Sequence, residues 1–170
     1  MARSDGVSGP RARSMSVRAG DVGEIDHLAR LWHQGWHAAL APAGLVRART
    51  LESFRDRLAA ALADTFLIGP PDAPSGFYML KGDELYQFYV AREARRSGIA
   101  AVLLADAEAR LAARGVATAW LACAIGNDRA ARFYERCGWA RARTQVNRLE
   151  TPDGVFEVDV WRYEKELRRA

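Results

Sequence analysis

The sequence predicts a single α/β domain built around a mixed, mostly antiparallel sheet of about six to seven strands flanked by about four helices. The first observation is length, because 170 residues suit one domain. The second is the exchange of helical and strand periodicity, which gives the order β-α-α-β-β-β-α-β-α-β-β. The third is connectivity: antiparallel hairpins at both ends surround one strand-helix-strand unit, which predicts a parallel pair.

The first elements are a short strand and two helices. Ser16–Ala19 predicts the strand, and Asp21 followed by Glu24 resembles a capping box at the start of the first helix. Apolar residues at three- and four-residue steps carry that helix to Leu40. The same spacing predicts a second helix that starts near Thr50.

Short strands and a long helix occupy the middle of the chain. Thr65–Ile68 predicts one strand. The next two, Phe77–Lys81 and Glu84–Val90, flank Gly82-Asp83, a two-residue hairpin signal. A helix from about Gly98 to Arg114 follows.

The last third predicts a short helix and three strands. Asn127 or Asp128 caps the helix, which ends at Cys137. The tetrapeptide Thr151-Pro-Asp-Gly154 has proline and glycine where a type I turn favours them. The strands are Ala117–Cys123, Ala140–Leu149 and Val155–Tyr163.

Composition excludes several classes of protein. The chain is 49% hydrophobic and 27% charged, close to the average of soluble globular domains. It has no run of about 18 apolar residues and no apolar segment typical of a secretory signal after its first residues. Cys123 and Cys137 form neither a disulfide framework nor a metal motif. We therefore expect a cytoplasmic protein without a metal and without membrane association.

Residues 1–14 are rich in Gly, Ser, Pro and Arg and predict a disordered tail, which leaves 15–170 as the folded domain. Met15 is an alternative to Met1 as the true start. The net charge is +4, of which the tail carries +2. The remainder is too small for a broad nucleic-acid-binding face.

A basic, glycine-containing loop joins the strand Glu84–Val90 to the long helix. It reads Arg95-Arg96-Ser97-Gly98-Ile99-Ala100. The first turn of a helix has unpaired N–H groups and partial positive charge, so the loop suits a pyrophosphate. It matches neither the Walker loop nor GxGxxG. The alternative is an ordinary helix start with a small residue for packing.

The chain is similar to the GNAT superfamily of N-acetyltransferases from Ser16 to Tyr163, most clearly over Glu84–Trp139. The family's phosphate loop, Q/R-x-x-G-x-G/A, is matched by Arg95, Gly98 and Ala100. Many members have a proline shortly after the preceding strand, where this chain has Ala91-Arg92. The downstream pattern is matched by Asn127, Ala130, Phe133, Tyr134, Gly138 and Trp139.

The resemblance implies acetyl-CoA as cofactor, held where two parallel strands splay apart. Those strands would be Glu84–Val90 and Ala117–Cys123, with main-chain groups of Phe88 to Val90 bound to the pantetheine amides and one N–H near Val90 on the thioester oxygen. The cofactor-binding residues implied are Phe88, Tyr89, Val90, Arg95, Arg96, Ser97, Gly98, Ile99, Ala100, Asn127 and Ala130.

The resemblance also implies catalytic roles for two residues. Tyr134 matches the general acid that faces the leaving sulfur, and its alternative role is core packing. Glu84, eleven residues before Arg95, matches the base of histone-acetylating members. Alternation would place Glu84, Tyr86, Phe88 and Val90 on one strand face, where aromatic neighbours favour a raised carboxyl pKa. The alternative for Glu84 is a charged residue that starts an edge strand.

The first two helices form an acceptor-site wall in the family, which implies substrate contacts by Trp32 and Trp36, and we include Tyr86 of the adjacent strand. The alternative for both tryptophans, which stand at i and i+4, is the core. His33 and His37 lack the further ligands that zinc needs. The acceptor would be the primary amine of a small molecule or a peptide.

Two other functions stay open. A GNAT-like fold can serve as a CoA-binding sensor or interaction module without catalysis. A nucleic-acid-binding protein would use Arg92–Arg96 and the basic tail, although the charge distribution disfavours it. The last hairpin could also pair between subunits in a homodimer.

Overall fold

The structure is a computed structural model that describes residues 16–40, 49–151 and 154–167. The predicted tail, residues 1–14, and the turn residues Pro152 and Asp153 lie outside the described residues. Within the described ranges, none of the helices combines the length and the apolar character needed to cross a bilayer.

One seven-stranded sheet has the spatial order β1-β2-β3-β4-β5-β7-β6. Only β4 and β5 run parallel, and every other neighbouring pair is antiparallel. The predicted fold class and element order are confirmed. The strands are β1 Arg18–Ala19, β2 Thr65–Ile68, β3 Gly76–Lys81, β4 Glu84–Val90, β5 Thr118–Ala124, β6 Ala140–Thr151 and β7 Gly154–Glu166. The α-helices are α1 Ile25–Leu40, α2 Leu51–Ala60, α3 Ile99–Ala113 and α4 Asp128–Arg136.

Two apolar clusters cover the two faces of the sheet. One joins α1 and α2 to strand residues such as Leu67 and Phe77. The other joins α3 and α4 to strand residues that include Phe66 and Tyr78, which are adjacent in sequence to Leu67 and Phe77. Because side chains alternate along a strand, adjacent residues serve opposite clusters. Helices therefore pack against both faces of the sheet.

The start of the first helix contains the predicted capping box as a short 3₁₀ turn ahead of α1. The Asp21 carboxylate accepts from the Gly23 N–H, and the Glu24 carboxylate accepts from the Asp21 N–H. Glu24 is only 4% exposed and pairs with Arg18 at 2.6 Å. The hydrogen bond from Arg18 lowers the pKa of Glu24, so this buried carboxylate stays ionised.

Gly35 lets α1 lie directly against β4. A Cβ atom at this position would stand 2.1 Å from a ring carbon of Tyr89, which no real packing allows. The Tyr89 ring is in turn stacked on Phe77 with centroids 5.8 Å apart. The close approach fixes the distance between the helix and the strand that borders the site.

The predicted side-chain alternation along β4 is wrong. Pairing with β3 steps from Met79↔Gln87 to Leu80↔Leu85, so Tyr86 is the extra residue of a β-bulge. Tyr86 packs with the α1–α2 cluster, whereas Phe88 packs with the α3–α4 cluster. The bulge rotates the strand and puts these two residues on opposite faces of the sheet.

The final hairpin is longer than predicted. Strand β7 continues to Glu166, past the predicted end at Tyr163, because it pairs with both β5 and β6. Within this extension, Lys165 is fully hydrogen-bonded. Its ammonium donates to both Glu108 carboxylate oxygens and to the Cys137 carbonyl, each at 2.8–2.9 Å.

Candidate functional site

A cleft opens where β4 and β5 part. The two strands are paired only at Glu84↔Trp120, although each is paired along its other edge, to β3 and to β7. Beyond that point the facing main-chain edges of β4 and β5 have no strand partner. A cavity of about 640 Å³ lies in this gap. An extended ligand could add to these edges as a strand adds to a sheet.

The loop after β4 combines a left-handed backbone with a helix start that no described side chain caps. Arg96 has φ +65° and Gly98 has φ +86°, both left-handed. A Cβ atom on Gly98 would meet nothing within 4 Å, so glycine is favoured there by backbone conformation rather than by space. No side chain caps α3. Its first N–H groups are therefore available to an anion.

Arginines crowd this loop without a carboxylate partner. Residues Arg95 to Gly98 are exposed, and none of Arg92, Arg95, Arg96 and Arg129 forms an ion pair within the described chain. Burial and the nearby charges of Arg129 and Arg92 lower the pKa of Arg95. Such repulsion among like charges favours a bound anion.

Tyr134 lies in the wall of the cavity, on α4. Asn127 caps this helix by accepting from the Ala130 N–H. The Tyr134 ring is 8% exposed and packs near Phe88, Trp139 and Tyr163. Its hydroxyl has no hydrogen-bond partner in the part of the chain described. Burial raises the pKa of Tyr134, so the phenol is protonated at neutral pH.

Glu84 lies at the closed end of the cleft, at the one point where β4 and β5 pair. Burial raises the pKa of Glu84 to about 7, while the positive charges of Lys81 and Arg162 oppose the shift. A carboxyl group with this pKa is partly ionised at neutral pH. It is therefore suited to accept a proton there.

The predicted substrate residues divide into two groups. Trp36 and Tyr86 line the cavity. Trp32 does not: it is fully buried, and its indole nitrogen donates to the Gln87 side chain at 3.1 Å. The structure thus brings Glu84, Tyr86 and Tyr134 to one cavity and leaves Trp32 in the core.

The cavity also contains cations that sequence reasoning missed. Arg49, Arg57 and Lys81 line it. Arg57 stands at the border of the apolar stripe of α2, directly before Leu58 in the sequence. An arginine at such a position is the one sequence signal that could have indicated it.

His33 and His37 contact each other on α1, with their Nε2 atoms 2.8 Å apart. Burial, and then the neighbouring His37, lower the pKa of His33. Among the described residues, no three or more His, Cys, Asp or Glu side chains are grouped so as to hold a metal ion.

Comparison with protein families identifies this architecture. A family model described as the acetyltransferase (GNAT) family matches residues 44–139, more than half of the chain. The chain belongs to the GNAT acetyltransferase family. As a GNAT protein it is an acyltransferase, and the matched range contains the basic loop, Glu84 and Tyr134. Among curated proteins, no sequence matches the chain.

Solved structures share the GNAT fold at low sequence identity. A GCN5-related N-acetyltransferase from Rhodopseudomonas palustris is 20% identical with a TM-score of 0.70, covering 94% of this chain and 100% of that one. The ribosomal-protein-S18-alanine N-acetyltransferase of Escherichia coli is 20% identical with a TM-score of 0.64, covering 91% and 95%. The yncA protein of Salmonella typhimurium, solved with its cofactor acetyl-CoA, is 13% identical with a TM-score of 0.68, covering 92% and 96%.

Proposed function

We propose that this GNAT protein transfers an acetyl group from acetyl-CoA to a primary amine by direct attack within a ternary complex. One observation carries the proposal. The unpaired edges of β4 and β5 form a cleft that contains Glu84 and Tyr134, and the uncapped start of α3 follows β4 through the basic loop.

The residues at the donor end fit a nucleotide thioester. Arg95, Arg96 and the N–H groups from Gly98 to Ala100 would hold the pyrophosphate, with Ser97 and Ile99 completing the loop. The free edge of β4 from Phe88 to Val90 would bind the pantetheine amides, beside Asn127 and Ala130. When bound, acetyl-CoA supplies an activated acyl group as a thioester. The related fold solved with acetyl-CoA supports this assignment.

Glu84 would serve as the base that removes a proton from the acceptor. An alkylammonium has a pKa of about 10.4, and only the neutral amine is a nucleophile. Transfer of this proton to Glu84, whose pKa is about 7, is unfavourable because the two pKa values differ by roughly three. Burial of the ammonium in the cavity lowers its pKa and narrows that gap.

Tyr134 would stabilise the leaving sulfur. A thiol has a pKa of about 8.5, well below that of a buried phenol. Full proton transfer from Tyr134 to a thiolate is therefore uphill, and a hydrogen bond from the hydroxyl to the sulfur is the larger contribution. The unpartnered hydroxyl is free to make it.

The first test is calorimetric titration with acetyl-CoA, with ATP and desulfo-CoA as comparators, followed by assay of CoA release with a panel of amines. We expect acetyl-CoA to bind more tightly than ATP and at least one amine to be acetylated. Tight binding with no turnover across the panel would contradict catalysis and favour a CoA-binding sensor.

A nucleic-acid-binding role predicts a different result. It would give binding to DNA or RNA that weakens steeply with salt and does not compete with acetyl-CoA. Competition would place both ligands on the same arginines and favour the donor site.

A further inference from the structure

The cavity is lined by positive charges, most of which have no carboxylate partner within ion-pair distance among the described residues. Of the four cations that line the cavity, only Arg148 forms an ion pair within the described chain, with Glu157 at 3.8 Å. The other three are Arg49, Arg57 and Lys81. The carboxylates in the lining are those of Glu84 and Glu150, and neither lies within ion-pair distance of these three cations.

Arg57 is held in place but incompletely satisfied. Its Nη2 donates to the Tyr86 hydroxyl. Its guanidinium lies 5.1 Å from the Trp32 ring centroid and 5.8 Å from that of Tyr86. Its Nη1 is buried and has no hydrogen-bond partner within residues 16–40, 49–151 and 154–167. An unmet buried donor is costly, so a ligand that accepts from it gains affinity.

Arg49, which lines the same cavity, has a similar environment to Arg57. One of its nitrogens donates to the Glu150 carbonyl at 3.2 Å, and its guanidinium lies 5.8 Å from the Trp36 ring centroid. Its Nε is buried and has no partner among the residues that the structure describes. Two guanidinium groups, each beside an aromatic ring and each with an unmet N–H among the described residues, therefore line the same cavity.

The phosphates of the donor do not account for these charges. The pyrophosphate loop follows the carboxyl end of β4, beyond Val90, whereas Arg57 is bound to Tyr86. At about 3.3 Å per residue, the two positions on the strand are roughly 13 Å apart. The anion that would meet Arg57 thus belongs to the acceptor.

We propose that the acceptor is an amine that also carries a carboxylate, of the amino-acid class, and that Arg57 binds this carboxylate with support from Arg49. The inference rests on the proposed acetyl transfer. A planar guanidinium suits a carboxylate, and Glu84 in the same cavity would face the ammonium of such a zwitterion. Arg57 is then a specificity-determining residue, distinct from the acid and the base.

The test uses matched sets of acceptors: each standard amino acid, its carboxamide and its decarboxylated amine, assayed by CoA release. We expect kcat/KM for the best acid to exceed that for its amide by about 10- to 100-fold, the range of a charge-assisted hydrogen bond. In Arg57→Gln this ratio should fall to near one. Arg57→Lys should keep part of the ratio, because an ammonium retains the positive charge but cannot form the two parallel hydrogen bonds of a guanidinium.

Arg55→Gln is the matched control. It removes the same charge from the same helix, where Arg55 pairs with Asp26 at an exposed position outside the cavity. Its acid-to-amide ratio should equal that of the wild type. Thermal unfolding and acetyl-CoA affinity, measured for each variant, separate a folding defect from a change in specificity.

Three results would overturn the proposal. Amides or simple amines that react as well as the acids would refute carboxylate recognition while leaving acetyl transfer intact. An Arg57→Gln variant that loses activity equally on acids and amides would assign Arg57 to packing. No transfer to any acceptor, despite tight acetyl-CoA binding, would refute the proposed function and this inference together.

Discussion

The two ends of the cleft differ in the chemical groups that form them. At the end beyond Val90, main-chain N–H groups and exposed arginines lie on one continuous stretch of chain, from β4 into α3. At the end near Tyr86, the guanidinium of Arg57 on α2 lies beside the aromatic rings of Trp32 on α1 and Tyr86 on β4. The first end depends on backbone conformation, whereas the second depends on the identity of single side chains. Substitutions should therefore affect the two ends independently.

The largest expected effect is at the backbone end. Gly98→Glu should weaken acetyl-CoA binding by at least about 100-fold, because it forces a side chain onto φ +86° and adds a negative charge beside the anion site. Calorimetric titration measures the loss.

Gly115→Glu is its control, since Gly115 ends the same helix at φ +83° with equally open space around a Cβ atom. It imposes the same strain far from the anion and should leave acetyl-CoA affinity unchanged. Equal losses in both variants would assign the effect to helix stability.

The next largest effect is expected at Tyr134, which lines the cavity. Tyr134→Phe should lower kcat by about 10- to 100-fold with little change in acetyl-CoA affinity, because it removes a hydrogen bond to a leaving group that is already good. Steady-state kinetics at saturating substrates, with binding measured separately, give both values.

Tyr163→Phe removes a hydroxyl that is bound to Glu135 at 2.7 Å and to Arg141 at 3.1 Å. This control should lower the free energy of unfolding and leave kcat nearly unchanged. An unaltered kcat in Tyr134→Phe would exclude Tyr134 from the mechanism.

The pH dependence tests the buried carboxyl group. We expect kcat/KM to rise with pH through about 7 as Glu84 ionises, and this limb to disappear in Glu84→Gln. The stability effect has the opposite sign. Between pH 4.5 and about 7 the folded protein holds a proton on Glu84 that the unfolded chain releases, so Glu84 lowers the free energy of unfolding as pH rises.

Urea unfolding at several pH values compares this slope in the wild type and in Glu84→Gln. A stability slope that persists in the variant would assign it to other groups. A retained pH–rate limb would mean that another group supplies the base.

The smallest effect distinguishes the two ends by salt. The arginines of the loop are exposed, whereas the guanidinium of Arg57 is partly buried, and salt screens exposed charges more strongly. Raising salt from 0.05 to 0.5 M should weaken acetyl-CoA binding several-fold and change the acid-to-amide ratio by less than about twofold. A larger change in that ratio would mean that the acceptor's carboxylate is bound at an exposed position.

Features made by neighbouring residues were predictable from the sequence. The basic loop, the cap of α4 at Asn127 and the Gly82-Asp83 hairpin each depend on a few consecutive residues, and each stands at the predicted place. The family follows from the same local motifs. The catalytic and cofactor roles of these residues stay predictions.

Features made by distant residues were not predictable. The bulge at Tyr86 is invisible in the sequence because both faces of β4 are apolar, so no alternation marks the extra residue. The surroundings of Arg57 come from α1, α2 and β4, and only their packing brings Trp32 and Tyr86 to it. The buried state of Trp32 likewise depends on tertiary contacts that helical spacing alone leaves open.

The bulge at Tyr86 gives a single strand two independent side-chain surfaces. Under the proposed function, Tyr86 on its α1–α2 side would face the acceptor, whereas Phe88 and the main-chain edge beyond it would hold the donor. A regular strand would place Tyr86 and Phe88 on one surface, where a substitution for one partner would disturb the other. If the proposed roles hold, substitutions at the bulge would alter acceptor choice without altering donor binding.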